Sequence, residues 1–168
     1  MFQPAAKLEF VRRYCSPADG WRVFVDIDAS EEGKTGGERK TAEAWDRQER
    51  MRLDAERVRI ELGKLDVRIG GNRRAWFDEN DLPPVEGDRD IIAFHPTSKV
   101  LLIAEVEGES SGQPEQKLYK AVGQLVAAAG GEEPKGWERR LVLVVCGDKI
   151  AAHLAKARKL AELGVAGL

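Results

Sequence analysis

Residues 90–124 read DIIAFHPTSKVLLIAEVEGESSGQPEQKLYKAVGQ, and this stretch decides the predicted fold. Two apolar runs stand on either side of a short polar turn at residues 96–99. Apolar runs arranged in this way around a tight turn predict an antiparallel β-hairpin. With the turn centred in the middle of that segment, the register places Asp90 directly opposite Glu105.

Three acidic side chains are predicted to meet at one end of this hairpin. Asp90 and Glu105 share a face because they are directly opposed, and Glu107 joins them because side chains alternate along a strand. Carboxylates brought this close repel one another, and each is costly to remove from water without a partner. A hard divalent cation such as Mg²⁺ is the natural compensating group, because it prefers oxygen ligands.

A helix is predicted directly after the hairpin. Pro114 suits the first helical turn, where its missing N–H is not needed. Gln113, Lys117, Lys120 and Gln124 recur at helical spacing and form a polar stripe beside an apolar face. Because a short loop joins this helix to the carboxylate end of the hairpin, Lys117 and Lys120 are candidates to reach a substrate phosphate.

This order of elements resembles the PD-(D/E)xK nuclease superfamily, whose members have the restriction-endonuclease-like fold. The resemblance implies that Asp90 and Glu105 bind the metal. Glu107 stands where the family usually has a lysine. The resemblance therefore implies either that Glu107 acts as the base or that a lysine of the next helix, Lys117 or Lys120, replaces the motif lysine.

The remaining patterns complete a predicted α/β fold. A long helix at 41–64, a strand at 67–69, the hairpin, the following helix and an apolar strand at 141–145 resemble the αβββαβ core of that fold. The resemblance implies a mixed central sheet flanked by helices over about residues 41–162. Residues 21–28 are predicted as an extra N-terminal strand, and a C-terminal helix is predicted after Asp148.

Composition limits the classes of function. The chain has 168 residues, which predicts a single domain over residues 1–168. No apolar run is long enough to span a bilayer and no signal peptide is recognisable, so we expect a cytoplasmic protein without a membrane partner. Two cysteines without CxxC spacing give little support to zinc or redox chemistry. A net charge of −2 means that any nucleic-acid binding must be local.

A basic pair, Arg73 and Arg74, precedes the aromatic residues Trp76 and Phe77. Such a segment can contact a phosphate and stack on a base. It can equally be a hairpin whose two aromatic side chains are buried. The sequence leaves both interpretations open.

These observations predict a Mg²⁺-dependent nuclease, with Mn²⁺ as a candidate substitute and DNA favoured over RNA as its partner. The candidate residues are the metal ligands Asp90 and Glu105, the catalytic group Glu107, Lys117 and Gln124, and the substrate-binding group Gln113, Lys120, Arg73 and Arg74. A homodimer that addresses two strands is compatible with a chain of this length.

Two alternatives compete with the nuclease. One is a catalytically inactive module that keeps the fold for binding or scaffolding, which the missing motif lysine favours. The other treats the carboxylates as a structural cluster whose charges are neutralised by Lys117, Lys120 and nearby arginines.

Overall fold

The computed structural model describes residues 1–28, 41–108, 114–130 and 134–146. In chain order its elements are α1 (Gln3–Tyr14), a 3-10 turn (Pro17–Asp19), β1 (Arg22–Val25), α2 (Ala42–Lys64), β2 (Arg68–Ile69), α3 (Arg73–Glu79), β3 (Ile91–His95), β4 (Val100–Glu107), α4 (Pro114–Gly130) and β5 (Glu138–Val145). Gln113 and the predicted C-terminal helix lie outside the described residues, as does the side chain of Lys117.

The strands form a five-stranded mixed sheet in the order β2-β1-β3-β4-β5. β3 is antiparallel to both of its neighbours, whereas β1 is parallel to β2 and β5 is parallel to β4. The predicted α/β class, with a mixed open sheet flanked by helices, is confirmed. None of the helices in the described ranges is long and apolar enough to cross a membrane.

The hairpin has the predicted register. Ile91 pairs with Ala104 and His95 pairs with Val100 across the β3–β4 ladder. Asp90 immediately precedes β3, so continuing the same register places it beside Glu105. The alternation of side chains in these two strands directs successive residues to two separate cores.

Helices α1 and α2 cover one face of the sheet. The apolar stripe predicted for the long helix is confirmed, because Met51, Ala55, Val58 and Leu62 are all buried. Side chains such as Val106 of β4 pack against the same cluster. Complete burial of an aliphatic side chain of this size contributes about 1.5–3 kcal/mol, so this stripe fixes α2 on the sheet.

Helix α3 contributes aromatic side chains to the other face. Trp76 and Phe77 are buried, and the Phe94 ring lies 6.1 Å from that of Phe77 and 5.1 Å from that of Trp137. The segment is therefore a helix and not a hairpin, and its aromatic pair belongs to the core. The side-chain oxygen of Asn72 accepts the N–H of Ala75 at 3.1 Å and caps the helix.

The strand predicted at residues 21–28 is present as β1, over Arg22–Val25. It lies inside the sheet, between β2 and β3. Three of the four β1 residues are buried, as a strand with neighbours on both sides requires. β2 has only two residues, and positive φ angles at Gly70 and Gly71 turn the chain away after it.

Strand β5 is less buried than predicted. Residues 141–145 were expected to be buried on both faces, but they are half-buried and Leu141 is 37% exposed. β5 stands last in the strand order, so within the described part of the chain it pairs with β4 alone. An apolar run does not by itself distinguish a central strand from the last strand of a sheet.

The chain leaves β4 in close contact with the start of α1. A methyl group added at Gly108 would lie 2.6 Å from the main-chain nitrogen of Gln3 and 2.8 Å from its Cα. Only glycine fits here without moving α1, because the neighbouring atoms belong to the backbone.

We predict that Gly108→Ala lowers the free energy of unfolding by about 1–3 kcal/mol, because the added methyl group overpacks a backbone contact. Gly123→Ala is the matched control. It lies within α4, where a methyl group would meet nothing within 4 Å. This control should raise stability by about 0.5–1 kcal/mol through helix propensity. Urea unfolding of both variants checks the prediction, and equal effects would show that Gly108 is not a contact point.

Candidate metal and phosphate site

Asp90 is fixed at the junction of three strands. Its Oδ2 accepts the main-chain N–H of Val106 at 2.7 Å, which ties the carboxyl group to the end of β4. Its own carbonyl accepts the N–H of Asp26 at 2.9 Å, just after β1 ends. The side chain of Asp90 keeps 20% of its surface exposed, so it remains accessible to a ligand.

Glu105 lies beside Asp90 and is almost completely buried. Burial is the largest cause that raises the pKa of Glu105, to about 8. The negative charge of Asp90 and a hydrogen bond with its carboxyl group raise this pKa further, whereas Arg89 and Lys7 lower it. The two carboxyl groups that the sequence places opposite each other are therefore neighbours.

Helix α1 supplies two site residues that the sequence analysis missed. Lys7 is fully buried, and its Nζ lies 2.7 Å from Asp90 Oδ1 and donates to the carbonyl of Asp26 at 2.6 Å. One turn earlier, Gln3 Nε2 lies 3.4 Å from Asp90 Oδ2. A lysine and a glutamine one helical turn apart therefore close the site from the side of α1.

A signal for these two residues exists in the sequence. Gln3 and Lys7 fall on the same side of a short helix whose neighbours Leu8 and Val11 are buried in the core. A lysine in the apolar half of a helix requires a partner for its charge. That requirement indicates a buried acid somewhere in the fold, but it does not indicate which one.

Arg89 lies on the other side of Glu105. Its Nη1 is 3.8 Å from Glu105 Oε1, which is too long for a hydrogen bond, and both side chains are less than one-tenth exposed. Glu105 Oε1 and Arg89 Nε are buried without a hydrogen-bond partner among the residues that the structure describes. The site thus contains one acceptor atom, Glu105 Oε1, and one donor atom, Arg89 Nε, that form no hydrogen bond with the described residues.

Three predicted site residues lie on α4 and β4. Gln124 Nε2 lies 3.5 Å from the carbonyl of Asp88, at the outer limit of a hydrogen bond. Lys120 is exposed on α4. Glu107 ends β4 and is half-buried, and its carbonyl accepts the N–H of Cys146 at 3.1 Å.

The predicted basic pair lies at the start of α3. Arg73 Nη2 is 3.9 Å from Asp88 Oδ1, a distant ion pair in which the acid is 98% exposed. Arg74 is 70% exposed and its Nε lies 3.3 Å from Asp78 Oδ1. Neither ion pair is buried, so both guanidinium groups can exchange their partner for a ligand at little cost.

The oxygens of Asp90 and Glu105 are of the type that a hard divalent cation prefers. Mg²⁺ is commonly held by one or two carboxylates, and Glu105 Oε1 is a buried oxygen with no donor to it in the described ranges. Within residues 1–28, 41–108, 114–130 and 134–146, no group of three or more His, Cys, Asp or Glu could hold a metal ion. The fit therefore rests on a pair of carboxylates.

No family model matches the sequence, and neither the curated proteins nor the solved structures contain a significant match. The functional proposal consequently rests on the geometry of Asp90, Glu105, Lys7 and Arg89.

The pKa of Glu105 predicts how stability depends on pH. It is 4.5 for the ordinary side chain and about 8 in the folded protein, so between these values the folded protein binds more protons than the unfolded chain. The free energy of unfolding therefore falls as the pH rises from 4.5 to about 8. Asp26, whose pKa is also raised mainly by burial, contributes in the same direction.

Glu105→Gln should flatten this decline without abolishing it, because Asp26 remains. The prediction is checked by measuring the thermal unfolding midpoints of the wild-type protein and the variant between about pH 5 and 9, a range that spans the titration of Glu105. An identical decline in both proteins would contradict the assignment to Glu105.

Proposed function

We propose that the protein is a divalent-metal-dependent nuclease that hydrolyses phosphodiester bonds, with DNA favoured over RNA as substrate. The observation that carries the proposal is the pair of adjacent carboxyl groups, Asp90 and Glu105, beside the buried ammonium group of Lys7. Two hard oxygen donors and one cation at the end of a hairpin suit a metal ion and a phosphate together.

We propose further that the core is restriction-endonuclease-like. The elements α1, β1, β3, β4, α4 and β5 follow one another in the order αβββαβ. β1, β3 and β4 form an antiparallel meander, and α4 connects β4 to the parallel strand β5. On this view the core begins at α1 and not near residue 41, and α2, β2 and α3 are inserted between β1 and β3.

Asp90 and Glu105 would hold Mg²⁺ or Mn²⁺ through their carboxylate oxygens. Mg²⁺, when bound, supplies Lewis-acid polarisation of the scissile phosphate and lowers the pKa of a coordinated water. Because burial raises the pKa of Glu105, a metal ion would compete with a proton for this side chain. Glu105 is buried, so it would exclude bulk water from one side of the bound metal.

Lys7 would take the part of the lysine that the sequence lacks at position 107. Its ammonium group lies next to Asp90 without being part of the hairpin. In that place it can stabilise negative charge on the phosphate or orient the attacking water. Glu107, Lys117 and Gln124 remain the predicted candidates for activating the water and orienting the substrate.

Asp90→Asn and Glu105→Gln should each lower Mg²⁺-dependent cleavage by at least about 100-fold, because each removes a metal ligand. The test incubates the purified protein with plasmid, linear single-stranded DNA and RNA, with Mg²⁺, with Mn²⁺ and with chelator. Asp46→Asn is the control, since it removes an exposed carboxylate of α2. Cleavage at the wild-type rate by either site variant would exclude this metal site.

Lys7→Met should separate catalysis from metal binding. The ammonium group competes with a cation for Asp90, so its removal should tighten binding of Mg²⁺ while cleavage slows by about tenfold or more. Titration calorimetry and cleavage rates check the two effects, and urea unfolding reports whether the variant is folded. Unchanged metal affinity in a folded variant would make Lys7 a structural residue only.

A second candidate is a nuclease-like module that binds without cutting, and one observation favours it. Lys7 and Gln3 already compensate Asp90, so its charge needs no cation. Among the described side chains, the cations next to the cluster are Lys7 and Arg89, whereas the side chain of Lys117 lies outside the described residues. A protein that binds neither Mg²⁺ nor Mn²⁺ and cuts neither DNA nor RNA would support this candidate.

A further inference from the structure

A cavity of about 910 Å³ opens on the face of the sheet covered by α3 and α4. Its lining includes four arginines and a single acid; these are Arg73, Arg74, Arg89, Arg139 and Glu86. The cavity is therefore cationic although the whole chain carries a net charge of −2. Its volume lies in the range of about 300–1,000 Å³ that is typical of small-ligand sites.

Arg89 connects this cavity to the carboxylate pair. It lines the cavity, is 7% exposed, and lies 3.8 Å from Glu105 Oε1. Its Nη1 donates to the carbonyl of Asp88 at 3.1 Å, but its Nε has no hydrogen-bond partner in the described part of the chain. Because Nε is itself buried, a ligand in the cavity would meet Arg89 at the part of the side chain that lines the cavity.

The backbone holds Arg89 in this place. Gly87 has a φ of 75°, and a methyl group added there would lie 2.9 Å from Arg89 Nη2. The guanidinium group therefore packs directly on the glycine backbone, in a conformation that other residues rarely adopt. Its position is fixed before any ligand arrives.

The other arginines differ in how freely they can bind. Arg139 donates to the carbonyls of Ala128 and Ala129 at 2.8 and 2.7 Å, which anchors β5 to the end of α4. Arg73 is 24% exposed and its acidic partner is 3.9 Å away. Arg73 can therefore turn to a ligand at low cost, and it lines the cavity together with Arg89.

The remaining wall is apolar. Phe77, Val85, Leu101 and Ile103 line it with carbon surface. A free phosphate ion would leave this wall uncovered, whereas a nucleotide has an anionic end and a flat, weakly polar base that can cover it.

We propose that this cavity binds one nucleotide of an unpaired nucleic-acid strand, with its phosphate on Arg73 and Arg89 and its base against the apolar wall. The inference rests on the proposed function, because it names the strand that the adjacent carboxylates act on. A base within a duplex is stacked and paired, so it does not enter a cavity that holds one nucleotide.

The test measures binding of a labelled oligothymidylate in the presence of chelator, so that no cleavage occurs. Arg73→Ala should weaken binding about tenfold and reduce the slope of log K against log salt by about 0.7, as expected for one lost contact to a single-strand phosphate. Arg50→Ala is the control for charge. Arg50 is an exposed arginine of α2 that pairs with Asp46, and its removal should leave the affinity unchanged.

A second variant tests the shape of the cavity without changing a charge. Ala127 lines the cavity and is exposed on α4. Ala127→Trp should fill the space and weaken binding about tenfold, as the loss of base stacking does. Ala44→Trp, at an exposed position of α2, is the control. Wild-type affinity in both Arg73→Ala and Ala127→Trp would overturn the proposal.

Competition experiments identify the ligand. Thymidine monophosphate should displace the oligothymidylate at lower concentration than inorganic phosphate does, because only the nucleotide covers the apolar wall. Equal competition by the two would reduce the cavity to a general anion site and overturn the assignment. Tighter binding of the matching duplex than of the single strand would overturn it as well.

The outcomes separate this inference from the nuclease proposal. If the wild-type protein cuts DNA with Mg²⁺ and the cavity variants bind normally, the cavity assignment fails and the nuclease stands. If no substrate is cut but the cavity variants lose binding, the nuclease fails and the cavity stands as a nucleic-acid site.

Discussion

The buried ammonium group of Lys7 is the interaction on which the rest of the site depends. A charge removed from water is tolerated only when a partner and hydrogen bonds compensate it, and Lys7 obtains both from Asp90 and from the carbonyl of Asp26. These partners come from the ends of two different strands. The requirement to compensate one cation therefore fixes α1 relative to the sheet and aligns β1 with β3.

The two sides of the carboxylate pair differ in how well they are satisfied. Asp90 has an ammonium group, a main-chain N–H and an amide around it, whereas the Oε1 atom of Glu105 has a guanidinium group at 3.8 Å and no hydrogen-bond partner in the described ranges. An open carboxylate oxygen and an open guanidinium donor, on Glu105 and Arg89, lie close to each other. A cation bound together with a phosphate would satisfy both at once, which neither a cation nor an anion alone would do.

The sequence predicted local features well and long-range ones poorly. The register of the β3–β4 hairpin followed from the length of one turn and the two-residue period of a strand, and α2 followed from its apolar stripe. Lys7 was missed because its ion-pair partner, Asp90, lies 83 positions away in the sequence. The sequence predicted strands at residues 21–28 and 67–69 but not which of them pairs with β3, because only packing decides that. For α3, Asn72 was a local signal of a helix start, but the aromatic residues that follow it favoured other interpretations of the segment.

The contact between α1 and Asp90 also constrains the order in which the chain folds during synthesis on the ribosome. Synthesis proceeds from the N-terminus, so α1 emerges long before Asp90 and before the strand that contains Glu105. Until then Lys7 has no counter-ion, and placing it against an incomplete sheet would leave a bare charge out of water. Helix α1 is therefore expected to dock late and cooperatively, so that a truncated nascent chain lacks both the closed core and the pair of carboxyl groups.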